Sequence, residues 1–350
     1  MNVLSFALVG AAYANISAPG TENVLDWVIA VSAEVFFDQK FMALFSMLFG
    51  AGIVLFYERA KEKSEHPAWL SLWRNFLLLV IGLLHGFIWE GDILALYAIL
   101  APILIVLRRL PSSMLLTLGI GVYALSPCLL LVSQSLVSEP IDVAGLWVDV
   151  EPRSELAYLV LITDSFLRAL GAMLIGIALY RTGVFQGDRS ADFYRGLTIW
   201  GLGIGLPLAV MSVVWVAVAD FSIDVAFLSA IPNTIGTIPI ALAYLAIIIR
   251  WNSRTNSRAR LTIRSVGRMA LTNYLAQSLF GVVTFSVILS GLSVSRSGAA
   301  IFVIAVWTLQ LWWSPLWLRR FRYGPVEWLW RCLTYRRWQP MRYEADPSPR

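Results

Sequence analysis

One short stretch gathers most of the chemistry this chain could do. In Gly82-Leu-Leu-His-Gly-Phe-Ile-Trp-Glu-Gly-Asp-Ile-Leu94, His85 is followed closely by Glu90 and Asp92, and the other residues are apolar or glycine. Ionisable groups are costly in hydrocarbon, so those found there tend to mark a site. A neutral imidazole among helices can act as a general base, a nucleophile or a proton relay. It can equally bond a neighbouring helix and only pack. Trp89 follows His85 by one turn and is expected on its face, with Glu90 and Asp92 at the outer mouth.

Other candidate groups are sparser. Glu34 and Asp38 stand i, i+4 and would share a helical face, with Lys40 beside them to neutralise one; a hydrated loop rim is the plainer reading. Asp164 and Arg168 share the same spacing and read as an interfacial ion pair. Asn273 and Gln277, one turn apart, are either interhelical glue or ligand contacts. In Ile231-Pro-Asn-Thr-Ile-Gly-Thr-Ile-Pro239 the prolines and glycine either break a helix, as at transporter sites, or kink one that Thr234 and Thr237 repair. Cys128 and Cys332 are too far apart in pattern for a disulfide framework, and with two histidines in the chain no metal site or bound cofactor is expected.

The elements that must position these groups are membrane helices. Of 350 residues, 58% are hydrophobic and 14% charged, where soluble domains carry about a quarter charged. Apolar runs long enough to cross a bilayer recur near 3–18, 39–57, 74–90, 92–108, 112–133, 165–181, 196–218, 225–249, 269–290 and 298–318, predicting an all-α polytopic bundle of ten spans. Alternate connections, namely 57–74, 108–111, 181–195, 250–268 and the tail, hold 23 of the 27 Lys and Arg, whereas the opposite ones hold 14 of the 22 acids. The positive-inside rule puts the basic side, and with ten spans both termini, in the cytoplasm. The basic balance is thus a topology signal, and no basic face with interleaved aromatics suggests nucleic acid. Six arginines between Arg250 and Arg268 read as an orientation signal on anionic head groups, or as an anchor for a cytoplasmic phosphate-bearing ligand. The first run begins at Met1 without basic residues, and Ala12-Tyr-Ala14 faintly resembles a cleavage site; a true first helix or a removed signal would leave the rest unchanged.

Residues 1–320 therefore form the membrane bundle and 321–350 a cytoplasmic helix and tail. In the latter, Pro325 suits a first helical turn, Glu327 its dipole, and Trp328, Leu329, Cys332 and Leu333 an apolar face lying on the membrane.

Several motifs taken together resemble a known family. Phe41-Met-Ala-Leu-Phe-Ser-Met-Leu-Phe-Gly-Ala-Gly52, Gly82 to Ala98, Gly267-Arg-Met-Ala-Leu-Thr-Asn-Tyr-Leu-Ala-Gln-Ser278 and Gly324-Pro-Val-Glu-Trp-Leu-Trp-Arg-Cys-Leu-Thr-Tyr335 are similar to the YeiB-like bacterial membrane proteins, which carry the domain of unknown function numbered 418. The resemblance implies a multi-pass protein of the bacterial inner membrane. Through a distant likeness to membrane acyltransferases of the acyltransferase-three and heparan-glucosaminide type, it further implies acyl-CoA as a cytoplasmic donor and an acceptor on the outer side. In that setting His85 would be base or acyl acceptor, with Glu90 and Asp92 orienting it, and Asp38, Lys40, Asn15, Asn273, Gln277 and Trp89 facing substrate. The chain lacks the Asp-x-Leu-Arg-Gly opening usual in the family, and Asn15 stands where acyltransferase-three proteins carry a histidine. A small-molecule transporter and a non-catalytic scaffold remain the alternatives.

Overall fold

A computed structural model describes residues 3–62, 64–89, 91–252 and 257–343. In chain order the helices are α1 (Leu4–Ala7), α2 (Val24–Phe36), α3 (Lys40–Lys61), α4 (Pro67–Gly86), α5 (Leu94–Leu107), α6 (Ser112–Gln134), α7 (Glu155–Arg181), α8 (Ala191–Val218), α9 (Ala230–Asn252), α10 (Arg258–Arg268), α11 (Ala270–Gly281), α12 (Arg296–Leu318) and α13 (Pro325–Tyr335). Short 3-10 turns cover Gly10–Tyr13, Pro140–Val143 and Ile223–Val225, and a π-helical stretch, Val282–Ile288, prolongs α11. No strand forms among the described residues. Eight helical stretches are long and apolar enough to cross a membrane, and α5 is a shorter apolar helix between two of them. The protein is a multi-pass helical bundle.

The expected first span at 3–18 is corrected. After α1 the chain turns extended at Leu8 and Val9, makes one 3-10 turn, and reaches Gly20 with φ of 101°. Asn15 draws its side chain into a local turn, accepting from the Ser17 amide at 2.9 Å and its hydroxyl at 2.8 Å, which competes with helical hydrogen bonding. The ten-span expectation thus loses a member, and α2–α3 supplies the first crossing.

Packing around α7 organises the rest. Every residue from Arg168 to Ala178 is buried. Lipid offers no hydrophobic drive between helices, so close backbone approach over small residues takes its place. A Cβ on Gly50 would overlap the Met173 carbonyl, and one on Gly176 the Met47 carbonyl, which fixes α3 against α7. Gly119 and Gly171 meet across α6 and α7, with an added Cβ 2.9 Å from one facing carbonyl and 2.8 Å from the other. Gly205 and Gly236 do the same for α8 and α9. This explains why α9 runs unbroken through Pro232, Gly236 and Pro239: Gly236 is a packing residue there, and the Thr237 hydroxyl donates to the Asn233 carbonyl at 2.8 Å.

The two ends of the bundle differ in chemistry. At one end, the Trp330 indole donates to the Arg74 carbonyl at 2.9 Å, Trp73 to Leu333 at 3.0 Å, and Arg268 to Arg322 at 2.8 Å, drawing the arginine-rich segments together. The stretch expected to be a loop at 250–268 contributes α10 here. At the other end, Arg296 holds the carbonyl of Ala12 at 2.9 Å, Asn15 holds that of Trp147 at 3.0 Å, and Trp147 holds that of Phe221 at 2.9 Å. Asp142 closes the turn beside them: the Ser138 and Glu139 amides keep its carboxyl below the usual carboxylate range.

If the glycine contacts set the α3–α7 spacing, Gly176→Val forces the helices apart at a cost of about 1–3 kcal/mol. Gly121→Val, on the exposed face of α6 with open space around it, serves as the control. Thermal unfolding of the detergent-purified variants is expected to drop for the first and stay at the wild-type value for the second.

Candidate functional site

The geometry begins with Gly82. A Cβ there would lie 2.5 Å from the Ala95 amide and 2.8 Å from Asp92 Oδ2, so only glycine lets the end of α4 sit against the start of α5. That contact brings the loop between them back over His85. Asp92 Oδ2 accepts the Ala95 N–H at 2.9 Å, satisfying one of the free amides that open α5. Its other oxygen, Oδ1, lies 2.7 Å from His85 Nδ1 and accepts the Tyr274 hydroxyl at 3.0 Å. The His85 and Asp92 side chains are 1% and 4% exposed. Asp92 is therefore buried against His85 at the turn between α4 and α5. Glu90 lies outside the described residues.

The arrangement determines what the imidazole can do. A carboxylate facing Nδ1 selects the tautomer whose proton sits there, and this leaves the Nε2 lone pair available. Nε2 is buried and has no hydrogen-bond partner among the described residues. Tyr274 packs on the ring at 5.1 Å and Trp89 meets it edge-on at 6.0 Å. Trp89 lies past the end of α4 rather than on its face; its indole donates to Ser5 at 2.8 Å and its ring packs on Phe6 at 5.4 Å. The segment that does not span thus becomes a wall of the site. A cavity of about 30 Å³, room for a water molecule, lies behind Tyr274 between Phe6, Gln277, Ser278 and Val306.

Tyr274 carried no expectation, although it stands between Asn273 and Gln277. The signal was available: a phenol one residue past an amide, in a helix whose neighbours are apolar. The amides themselves bind helix to helix. Asn273 donates to the Val266 carbonyl at 3.1 Å and to Ser314 at 3.2 Å, and accepts from Trp313 at 2.8 Å. Gln277 donates to Gln310 at 2.9 Å. Glu327 serves α11 rather than its own helix, accepting from the Leu271 and Thr272 amides at 2.7 and 3.0 Å. The expected surface helix α13 is consequently docked on α4 and α11.

A second polar cluster forms where α2 gives way to α3. The chain breaks at Gln39, with φ of 68°, so Glu34 and Asp38 do not share one helix as their spacing suggested. Lys40, fully buried, reaches back to the Glu34 carbonyl and donates to Asn233 at 2.6 Å; Asn233 in turn donates to the Glu34 carboxylate. Arg168 pairs with Asp164 at 3.0 Å and also bonds Gln39, and Ser126 donates to Asp164. The pair expected at the interface is inside the bundle. Asn15 belongs to neither cluster; it ties the N-terminal turn to the 147 loop. Among the described residues no group of three or more His, Cys, Asp or Glu could hold a metal ion.

Comparison with known proteins finds a matching family and several relatives. The family described as "Protein of unknown function (DUF418)" matches residues 179–337, from the end of α7 through α13. An Escherichia coli K12 relative, "Uncharacterized protein YeiB", is 32% identical over 369 residues, covering 96% of this chain and 92% of its own length. The chain belongs to the DUF418 family. A Bacillus subtilis relative, "Uncharacterized protein YxaH", is 29% identical, covering 90% of this chain and 84% of itself. A third, from Bacillus acidopullulyticus, is 25% identical over 97% of this chain. No solved structure matches. The matched region includes Tyr274 but not His85 or Asp92, which the longer alignments span.

Two outcomes test the geometry. Asp164→Ala leaves Arg168 charged and unpaired inside the bundle, and a loss of about 3–5 kcal/mol is expected. The double variant Asp164→Leu with Arg168→Met should unfold at a higher temperature than the single one, because no charge is then stranded. At the other cluster, Gly82→Ala should open the α4–α5 contact. Hydrogen exchange at the Ala95 amide is the readout, and protection equal to wild type would contradict the close approach.

Proposed function

We propose that the protein is an acyltransferase of the bacterial inner membrane, with His85 as general base. The observation that carries this reading is the buried imidazole held by Asp92 at Nδ1 with Nε2 left unpartnered among the described residues. A purely structural histidine tends to spend both nitrogens, because an unmet polar atom in a dry interior is costly. In the proposed reaction an acceptor hydroxyl gives its proton to Nε2 while its oxygen attacks a thioester carbonyl. The carbon–sulfur bond breaks, the thiolate takes the proton from Nε2, and an ester and a free thiol result. Asp92 keeps the imidazole in its tautomer and faces the charge it carries between the two steps; Tyr274 and the Ala95 amide hold Asp92. The basic end, which the positive-inside rule assigns to the cytoplasm, would receive an acyl-CoA donor, and the acceptor would enter from the other side.

The test uses the purified full chain with a panel of radiolabelled acyl-CoA donors and hydroxyl acceptors. His85→Ala is expected to lower transfer by about a hundredfold or more, the range of a lost general base. Asp92→Asn should lower turnover strongly with little change in KM, and Tyr274→Phe less so. A wild-type protein that moves no label from any donor would end the proposal.

A second reading rests on one different observation: a helix broken at Gln39 within the bundle, beside Lys40, Glu34, Asp164 and Arg168. Discontinuous helices with charged groups near mid-membrane are the usual construction of transporter sites. On that reading, substrate uptake into proteoliposomes depends on Lys40 and survives His85→Ala.

A further inference from the structure

A cavity lies away from His85, at the basic end. It encloses about 640 Å³ between the start of α11 and the end of α12, lined by Met269, Thr272, Trp313, Trp317 and Phe321, with Arg319 and Arg320 at its edge. Its wall has few polar groups to spare. The Trp313 indole is committed to Asn273 at 2.8 Å, the Trp317 indole to the Tyr323 carbonyl at 2.9 Å, and the Thr272 hydroxyl to Glu327. The nearby carboxylate, Glu327, is occupied by the α11 amides. The two guanidinium groups are different: Arg319 and Arg320 are exposed, and their side chains form no hydrogen bond or ion pair with the described residues, only their backbone amides bonding within the end of α12. Leu316, also a lining residue, is 40% exposed, and Trp312 one turn earlier is 65% exposed. The cavity is therefore continuous with an apolar outer face of α12.

We infer that this cavity binds an anionic phospholipid of the cytoplasmic leaflet, its phosphate between Arg319 and Arg320 and an acyl chain along Leu316 and Trp312. Three features select that chemistry. Paired guanidinium groups match the oxygens of a phosphate better than an ammonium would. Carbon-rich aromatic walls suit glycerol and the first methylenes. The way out follows a helix face that a bilayer covers in any case, at the level where basic residues meet anionic head groups. Apart from its position at the basic end, the inference does not depend on the acyl-transfer reading, and its test requires no turnover.

The cavity supplies its own reporter, because Trp313 and Trp317 line it. The full chain in phosphatidylcholine nanodiscs is titrated with brominated phosphatidylglycerol, which quenches nearby indoles, and separately with brominated phosphatidylcholine. Quenching by the anionic lipid is expected at much lower mole fraction. Arg319→Gln with Arg320→Gln should raise its half-point about tenfold, the effect of losing a charge-assisted phosphate contact. Arg258→Gln with Arg337→Gln removes the same charge elsewhere and should leave it within about twofold. Equal quenching by both lipids in the wild type would overturn the inference without any variant, and equal shifts in the two double variants would reduce it to general surface charge. Displacement of the brominated lipid by palmitoyl-CoA, with no preference for phosphatidylglycerol over phosphatidylcholine, would assign the cavity to a soluble thioester and overturn the lipid.

Discussion

An imidazole sealed among helices can keep one nitrogen idle only if something holds the other. Asp92 does this for His85, and the consequences spread outward. For Asp92 to turn inward, α4 and α5 must nearly touch, which requires Gly82. For its carboxylate to stay put, it must be anchored from two further directions, by the Ala95 amide and the Tyr274 hydroxyl. Tyr274 in turn is placed by α11, whose first turn is capped by Glu327 of the last helix. One short contact thus ties together the first third of the chain and helix α13.

The same demand for partners explains the second cluster. Lys40 and Arg168 are both buried, and each is matched by a carboxylate or an amide. Hydrocarbon and protein interior alike make a stranded charge costly, so the cluster exists as a unit or not at all. The helix break at Gln39 lets Lys40 reach back to Glu34, which a continuous helix would have carried away.

Much of this was legible in the sequence, and the divide is physical. Hydropathy located the long helices because lipid imposes length and composition directly. It misjudged residues 3–18, where Asn15, with Pro19 and Gly20 just beyond, favours turns that an average over apolar neighbours conceals. His85 and Asp92 were readable as rare charges in an apolar setting. Their inward pairing was not, because it depends on Gly82, whose role appears only when two helices meet. Tyr274 and Asn233 escaped notice for a related reason: a phenol or amide in a helix carries no mark of its partner far along the chain. The Pro232–Pro239 stretch left two readings open, a break and a kink repaired by threonines, and the second holds: the Thr237 hydroxyl and glycine packing against α8 keep α9 continuous.

Glu327 has one further consequence. The carboxylate that caps α11 comes from α13, and Tyr274 stands just beyond the amides it caps. The tail is therefore mechanically in series with the buried histidine. Lifting α13 from the bundle would uncap α11 within a turn of Tyr274, loosening the hydrogen bond that steadies Asp92. Docking of α13 and order around His85 are thus coupled through one carboxylate.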